Sequence, residues 1–270
     1  MPRVKVNGVD IYYKFNGDGE KILVILNGIM MSSESWGGLV PSYVRAGYKV
    51  LNVDFRDQGK SESSKDAYTI TQHVEDLRGL LQHLKIEKIN LLGISYGGQV
   101  SMLFALKYPH MLESLILANT MARLTNYLKS IGEAWDEAAK LKDGEKFFRL
   151  AMPLIYSDTF YEKNLQWLKD REELFSSILT PEWFERYLRL SSSHGDYDIV
   201  DKLSNIQVPT LLISSDKDLI TPYRELFMIH ERIRDSKLVV IPEAGHASCY
   251  EKMEEFILVV LGFLALSTNE

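Results

Sequence analysis

Short runs of apolar residues recur along the chain, and segments with helical periodicity lie between them. The run at residues 22–26 is continuous and ends at Asn27-Gly28, which is typical of a β-strand buried on both faces. Buried strands that alternate with helices form a mostly parallel sheet flanked by helices, so we predict an α/β fold. Similar runs lie at 49–53, 89–92, 114–117, 210–213 and 238–241, an antiparallel arm at 9–15, and helical patterns at about 70–84, 97–108, 222–233 and 249–266.

One long segment interrupts this alternation, because residues 120–204 contain helix-like patterns and no convincing strand. The segment is too long for a simple loop, and a chain of 270 residues can hold a core with an inserted subdomain. We therefore predict a core at 1–119 and 205–270 and a helical cap at 120–204. The cap should cover the C-terminal ends of the strands, where ligands bind in open α/β sheets. It carries Trp135, Trp167 and Trp183, and we expect most of its aromatic residues to pack and a few to line a pocket.

The charge balance argues against a nucleic-acid partner. The chain has 31 Lys and Arg residues against 37 Asp and Glu residues, a net charge of −6, and no cluster of basic side chains. The longest apolar stretch, residues 256–266, is shorter than the roughly 20 residues that span a bilayer, so we predict a buried terminal helix there and no membrane span. The first five residues contain no apolar run of the kind found in signal peptides, so we expect a cytoplasmic protein.

The chain contains a single cysteine, Cys249, which cannot form a disulfide within the chain. We expect it to be a small packing residue beside the functional site. It is not expected to act as a second nucleophile.

A serine flanked by glycines follows the apolar run at 89–92. The sequence there is Gly93-Ile94-Ser95-Tyr96-Gly97-Gly98, a G-x-S-x-G motif between a predicted strand and a predicted helix. A tight turn in this context projects the serine hydroxyl above the sheet, and glycines avoid collisions with the neighbouring backbone. The helix directs the positive end of its dipole at the same point, which favours an oxyanion. We therefore predict that Ser95 is a nucleophile.

A serine hydroxyl needs an adjacent base, and the base needs a group that orients it. His246 lies in Pro242-Glu243-Ala244-Gly245-His246, directly after the last predicted strand, at the edge of the sheet where Ser95 is expected. We predict that His246 is the general base. The other five histidines fit predicted helices, a helix end or the cap: His73, His83, His230, His110 and His194.

Two aspartates are candidates for the orienting acid. The loop after the strand at 210–213 reads Ser215-Asp216-Lys217-Asp218-Leu219-Ile220-Thr221-Pro222. Asp218 lies further from the strand end and just before a helix that Pro222 helps to start, whereas Asp216 could cap the turn or pair with Lys217. We favour Asp218, which gives the chain order Ser, Asp, His.

These segments resemble the α/β-hydrolase superfamily over essentially the whole chain. The segment Asp54-Phe55-Arg56-Asp57-Gln58-Gly59-Lys60-Ser61 is similar to the family's D-x-R-G-x-G-x-S loop, with Asp57 where glycine is usual. The proline four residues after Asp218 resembles the family's acid loop and supports the choice of Asp218. Gly245-His246 and the helix after it resemble the family's histidine loop and final helix. The resemblance implies an α/β-hydrolase fold with an inserted helical cap.

The resemblance also implies where an oxyanion would bind. It assigns the two donors to the backbone N–H groups of Ile29 and Tyr96. Most relatives have His-Gly after the third strand, but this chain has Asn27-Gly28. Because the donors are backbone groups, Asn27 need not abolish the site, although it could move the loop. Asn-Gly-Ile at this point is similar to intracellular polyhydroxyalkanoate depolymerases, which cleave aliphatic polyesters.

Together these residues predict a serine hydrolase. We expect it to cleave a carboxylic ester of a small to medium, largely apolar substrate through an acyl-enzyme, without a metal or organic cofactor. The same triad would serve a lactonase, a thioesterase, a C–C bond hydrolase, a polyester depolymerase or an acyltransferase. A non-catalytic small-molecule receptor is less favoured, since binding alone does not need three catalytic groups. Nothing in the sequence indicates an oligomeric state.

Overall fold

An eight-stranded sheet forms the centre of the protein, and the computed structural model describes residues 2–267. Each predicted apolar run lies in a strand, and β5 and β7 are buried along their whole length, as expected for strands covered on both faces. The strands are β1 (Arg3–Val6), β2 (Val9–Asn16), β3 (Lys21–Leu26), β4 (Tyr48–Val53), β5 (Ile89–Ile94), β6 (Leu112–Ala118), β7 (Thr210–Ser215) and β8 (Ser236–Ile241).

The sheet is mostly parallel, which confirms the predicted fold class. Its strands lie in the order β1-β2-β4-β3-β5-β6-β7-β8, and only the β1–β2 and β2–β4 pairs are antiparallel. The register places Leu26 of β3 beside Gly93 of β5, and Ala118 of β6 beside Ile213 of β7. The carboxyl ends of these strands therefore share one edge of the sheet, and the loops that leave them can meet there.

Helices cover both faces of the sheet. On one face, α2 and α3 pack through Leu80 and Phe104, and on the other face α1 and α11 contribute Tyr43 and Phe256, all fully buried or nearly so. Burial of an apolar side chain of this size contributes about 1.5–3 kcal/mol. The helices are α1 (Val40–Arg45), α2 (Thr71–His83), α3 (Tyr96–Lys107), α4 (Asn126–Lys140), α5 (Gly144–Ile155), α6 (Asp158–Lys163), α7 (Leu165–Ile178), α8 (Pro181–Ser192), α9 (Tyr223–His230), α10 (Ser248–Glu251) and α11 (Met253–Ser267).

The C-terminal helix differs in one respect from the predicted pattern. The predicted helix at 249–266 is divided at Lys252, whose backbone angles of φ −134° and ψ 54° are not helical, into α10 and α11. The expected buried terminal helix is otherwise present, since Phe256, Val260 and Leu264 are fully buried in the core. Across residues 2–267, no helix combines the length and the apolar character needed to cross a membrane.

Five helices, α4 to α8, lie between β6 and β7, where the sequence predicts the cap. Four of them begin at a side-chain cap, in which the side-chain oxygen of Thr125, Asp143, Ser157 or Thr180 accepts a backbone N–H three residues later. The two ends of the insertion pair with each other through an antiparallel bridge between Arg123 and Asp198. This bridge brings the entry and exit of the chain together. The division at 119/120 and 204/205 stays a prediction.

Candidate active site

Ser95 lies on a sharp turn between β5 and α3. Its backbone has φ 52° and ψ −118°, in a region that residues other than glycine rarely adopt. The flanking glycines are required by close contacts, because a Cβ on Gly93 would lie 2.3 Å from the carbonyl oxygen of Gly97. A Cβ on Gly97 would lie 2.5 Å from the carbonyl oxygen of Leu26 in β3. The turn therefore holds the Ser95 side chain, which is half-buried, at the carboxyl edge of the sheet.

The structure brings His246 between Ser95 and Asp218. The His246 Nε2 atom lies 2.9 Å from Ser95 Oγ, and Nδ1 lies 2.9 Å from Asp218 Oδ2. This arrangement fits the tautomer in which Nδ1–H donates to the carboxylate and Nε2 accepts the Ser95 hydroxyl proton. Three side chains from three separate loops therefore form one hydrogen-bonded line.

Asp218 is held as a carboxylate. Its side chain is fully buried, and burial raises its pKa, but His246 and hydrogen bonds from Thr221 outweigh burial and hold the pKa below its usual value. Oδ1 accepts the backbone N–H groups of Ile220 and Thr221 at 2.8 and 2.9 Å. The competing candidate, Asp216, is exposed and makes no side-chain hydrogen bond within the described residues. Of the two aspartates, the geometry therefore selects Asp218.

Asn119 supports Asp218 and was not predicted from the sequence. It follows β6 directly, and its Nδ2 donates to Asp218 Oδ2 at 2.9 Å and to Ser215 Oγ at 3.0 Å. Its Oδ1 accepts the hydroxyl of Ser248 at 2.6 Å. The available signal was a polar residue at the carboxyl end of a buried strand, at the edge where the other site residues were expected. Asn119 connects the acid loop to the segment after His246.

The five other histidines lie outside the Ser95–His246–Asp218 line. His73 is buried among Phe55, Tyr68 and Tyr96, and neither ring nitrogen has a hydrogen-bond partner. His194 packs edge-on against Tyr96, with Nδ1 2.8 Å from the Ser191 carbonyl oxygen. The remaining three occupy helix ends or a short 3-10 turn: His83, His110 and His230.

The residues predicted to supply oxyanion donors, Ile29 and Tyr96, line a cavity that Ser95 also lines. Tyr96 is the first residue of α3, and Ile29 follows Gly28 on the loop after β3. Within the described part of the chain, neither backbone N–H has a hydrogen-bond acceptor, so both are available to a ligand. Their role as an oxyanion hole stays a prediction.

Asn27 lies at the centre of a buried hydrogen-bond network beneath the Ile29 loop. Its Nδ2 donates to the Val53 carbonyl and to Gln58 Oε1, both at 2.9 Å, and its Oδ1 accepts the indole N–H of Trp36 at 2.8 Å. Gln58 Nε2 in turn donates to the carbonyl of Gly28 at 2.8 Å. The asparagine that replaces the usual histidine is therefore part of a satisfied network that fixes the loop.

A largely apolar cavity of about 420 Å³ opens at Ser95 and His246. The loop after β3 supplies part of its lining, and helices α4, α5, α7 and α8 supply another part. Cys249, the one cysteine in the lining of this cavity, is buried. Burial raises the pKa of its thiol to about 12, so the thiolate form that could act as a nucleophile is strongly disfavoured. The apolar lining consists mainly of Ile29, Met30, Met31, Trp135, Met152, Ile155, Leu174, Phe175, Ile178, Leu179 and Trp183.

A second cavity of about 310 Å³ adjoins Ser95 on the side of Tyr96. Its lining includes the carboxylates of Glu133, Asp136 and Asp196 and one cation, Lys129. Ser95 thus has a mainly apolar cavity on one side and a more polar, acidic cavity on the other.

Within residues 2–267, no group of three or more His, Cys, Asp or Glu residues is arranged to hold a metal ion.

Comparison with known proteins gives a consistent family. A model described as the alpha/beta hydrolase fold matches residues 21–253. The crystal structure of MGS-M2, an alpha/beta hydrolase enzyme from a Medee basin deep-sea metagenome library, has a TM-score of 0.94 and 38% identity, and the match covers 98% of this chain and 97% of that chain. A hydrolase from Pseudomonas aeruginosa has a TM-score of 0.85 and 27% identity over 97% of each chain. The proline iminopeptidase of Lactobacillus helveticus is 26% identical over 280 residues, 95% of each protein. The chain therefore belongs to the α/β-hydrolase fold family and is a hydrolase.

Proposed function

We propose that Ser95, His246 and Asp218 form the catalytic triad of a serine hydrolase that cleaves carboxylic esters. The observation that carries this proposal is the continuous line from Ser95 Oγ through both ring nitrogens of His246 to the Asp218 carboxylate, with 2.9 Å at each step. A hydroxyl in hydrogen-bond reach of an oriented imidazole is the arrangement that activates serine.

In the first half-reaction, Ser95 Oγ attacks the ester carbonyl carbon while its proton passes to His246 Nε2. The carbonyl oxygen becomes an oxyanion, which accepts hydrogen bonds from the backbone N–H groups of Ile29 and Tyr96. Each donor stabilises the transition state by on the order of 3 kcal/mol. Asp218 stabilises the imidazolium. The C–O bond of the ester then breaks, the alcohol leaves with the proton from His246, and the acyl group remains on Ser95.

In the second half-reaction, His246 takes a proton from water, and the resulting oxygen attacks the acyl carbon. Collapse of the second oxyanion releases the carboxylic acid and returns the proton to Ser95. The larger cavity is mainly apolar, which supports a small to medium, largely apolar substrate. We also propose residues 120–204 as the cap and the cytoplasm as the location of the protein.

Labelling with a fluorophosphonate probe tests this proposal most directly, because the probe reacts with activated serines whatever their substrate. We expect the wild-type protein to be labelled and to hydrolyse p-nitrophenyl esters, and Ser95→Ala to lose both, with kcat lowered by roughly 10⁶-fold. Ser177→Ala, which changes an exposed serine on α7, is the matched control and should behave like the wild type. If Ser95→Ala were labelled, or hydrolysed esters, to the same extent as the wild type, Ser95 would not be the nucleophile.

The second candidate function is removal of an N-terminal residue from a peptide. Relatives that carry the name proline iminopeptidase support it, as does the acidic cavity beside Ser95, since carboxylates can bind an ammonium group. A prolyl p-nitroanilide and an acetylated prolyl p-nitroanilide, assayed beside the p-nitrophenyl esters, separate the two candidates. Preference for the free prolyl anilide over the esters would favour the peptidase, and hydrolysis of the esters alone would favour the esterase.

A further inference from the structure

The larger cavity contains an unpaired positive charge. Arg171 of α7 lies in its wall, half-buried, and forms no ion pair with any carboxylate in the described part of the chain. Among the described residues that line this cavity, the one carboxylate is that of Glu34, which is already bound to Lys60 at 2.5 Å. Arg171 is therefore a cation without a balancing anion in a cavity whose other side chains are mainly apolar.

The surroundings of Arg171 hold its guanidinium in place without using its donors fully. The guanidinium carbon lies 5.1 Å from the ring centroid of Trp167. An aromatic face attracts the flat face of a guanidinium and leaves N–H groups at its edge free to bind a carboxylate. The Trp167 ring therefore stabilises the positive charge of Arg171, but no carboxylate of the described residues forms an ion pair with it.

Two tyrosine hydroxyls lie in the same part of the cavity. Burial raises the pKa of Tyr156 and of Tyr250, the latter to about 12. The charge of Arg171 lowers the pKa of both phenols, and a hydrogen bond from Arg171 also lowers that of Tyr250, so Tyr250 uses part of the donor capacity of the guanidinium. The Tyr250 hydroxyl donates to the Ser35 carbonyl at 2.9 Å, and the Tyr156 hydroxyl has no hydrogen-bond partner within the described residues. Since both phenols remain protonated at neutral pH, Tyr156 can donate a hydrogen bond to an anion beside Arg171.

We propose that Arg171 binds a carboxylate of the substrate, so that the preferred ester carries a carboxylate at the end of an apolar chain. A half-ester of a dicarboxylic acid has this structure. This inference rests on the proposed esterase function. The apolar chain of the substrate lies against the apolar wall of the cavity. The reacting ester of the substrate lies at Ser95, and its terminal carboxylate pairs with the guanidinium of Arg171. A paired, hydrogen-bonded carboxylate offsets its own desolvation, which an unpaired one in such a cavity does not.

Two matched series of esters test the charge preference. The first compares monoethyl esters of linear dicarboxylic acids with five to ten carbons with ethyl esters of the monocarboxylic acids of the same length. The second places the carboxylate on the alcohol, as acetates of ω-hydroxy acids against alkyl acetates. We expect the wild type to have a higher kcat/KM for the charged member at one or more lengths. A preference in either series supports the proposal and shows which part of the ester enters the cavity.

Variants of Arg171 test whether this residue is the cause. Arg171→Met keeps the aliphatic length and removes the charge, and it should lower kcat/KM for the charged ester by roughly 10- to 100-fold while changing the neutral ester by less than about threefold. Arg171→Lys should retain part of the preference. Lys169→Met, which removes an exposed cation from the same helix, is the matched control and should leave the preference unchanged.

Three results would overturn the inference. The first is the absence of any charge preference in the wild type while neutral esters are hydrolysed. The second is an equal loss on charged and neutral esters in Arg171→Met, which would mean that Arg171 only covers Trp167. The third is loss of the preference in Lys169→Met. Failure of the proposed function itself is distinct, since the wild type would then hydrolyse no ester and Ser95 would not react with fluorophosphonate.

Discussion

At the residue scale, Gln58 is the side chain whose effect on the candidate oxyanion hole is most direct. Its Nε2 donates to the carbonyl oxygens of Gly28 and Ile29 at 2.8 and 3.3 Å, and its Oε1 accepts from Asn27 at 2.9 Å. These bonds orient the peptide group that contains the Ile29 N–H and the peptide group that follows it. Gln58 thus positions the proposed donor without touching the substrate.

Gln58→Glu isolates this positioning role, because it keeps the size of the side chain and the acceptor for Asn27. It replaces the amide donor with an oxygen that faces two carbonyl oxygens, so the loop should move away. The lost hydrogen bonds correspond to about 1–2 kcal/mol, and we expect kcat to fall by roughly 5- to 30-fold with KM changed by less than about threefold. Steady-state kinetics on one p-nitrophenyl ester measures both quantities.

The same change at an exposed position serves as the control for the glutamate charge. Gln82 lies on α2 and is exposed, so Gln82→Glu should leave kcat unchanged. A variant Gln58→Glu with wild-type kcat would contradict the positioning role. An increase in KM without a decrease in kcat would also contradict it, because it would indicate an effect on substrate binding alone.

At the element scale, helix α8 is fastened to the loop at residues 54–61 by two arginines. Arg189 binds the Asp57 carboxylate through Nε at 3.1 Å and a terminal nitrogen at 2.7 Å. Arg186 donates to the carbonyl oxygens of Gly59 and Ser61 at 3.2 and 2.8 Å. Asp57 has φ 62°, which explains why glycine is usual at this position in the family, and its carboxylate is fully buried. The ion pair therefore compensates a backbone conformation that is unfavourable for aspartate.

This compensation predicts that removing the two partners has unequal effects on stability. Arg189→Met leaves a buried carboxylate unpaired and should lower the free energy of unfolding by about 2–3 kcal/mol. Asp57→Gly removes the charge and the positive-φ strain together and should stay within about 1 kcal/mol of the wild type. Urea unfolding measures both.

The double variant completes the test of the α8 contact. Asp57→Gly combined with Arg189→Met has no buried unpaired carboxylate, so it should be more stable than Arg189→Met alone. If the double variant is less stable than either single variant, the contributions are independent and the explanation by an unpaired charge is wrong. Hydrogen exchange of α8 then shows whether the loss is confined to this contact.

The strands and the long helices of the core could be predicted from the sequence, because burial on two faces leaves continuous apolar runs. The six-residue helix α1 was missed, since a helix this short with Pro41 in its first turn has almost no periodicity. The break at Lys252 was also missed, because the apolar pattern continues across it. Both features depend on tertiary packing, which overrides local preference.

The candidate site, too, could be predicted only in part from the sequence. The positions of Ser95, His246 and Asp218 follow from strand ends, since the carboxyl ends of neighbouring parallel strands meet at one edge. Asn119 and Gln58 act through hydrogen bonds to residues that are distant in the chain, and no local pattern marks such contacts. Which residues between β6 and β7 line the larger cavity depends on the placement of α4 to α8, and sequence periodicity does not determine that placement.

At the scale of the whole molecule, a buried histidine should affect the pH dependence of stability. His73 is fully buried, and burial, with smaller contributions from Arg56 and His194, holds the pKa of its ring well below the usual value. In the unfolded chain the pKa returns to about 6.5. Below that pH the unfolded chain binds a proton that the folded protein does not, so stability falls as the pH decreases until the folded pKa is reached.

His73→Phe removes this linkage. Because neither ring nitrogen of His73 has a partner, and Phe55, Tyr68 and Tyr96 surround the ring, a phenyl ring should be tolerated at pH 7. As the pH falls below 6.5, the variant should gain stability relative to the wild type by up to about 1.4 kcal/mol per pH unit. Urea unfolding at intervals between pH 7.5 and 5 gives the difference directly. His83→Phe changes an exposed histidine on the same helix and should leave the wild-type slope intact. Parallel curves for His73→Phe and the wild type would mean that the folded protein protonates His73 as readily as the unfolded chain does, which requires α2 to open and admit water.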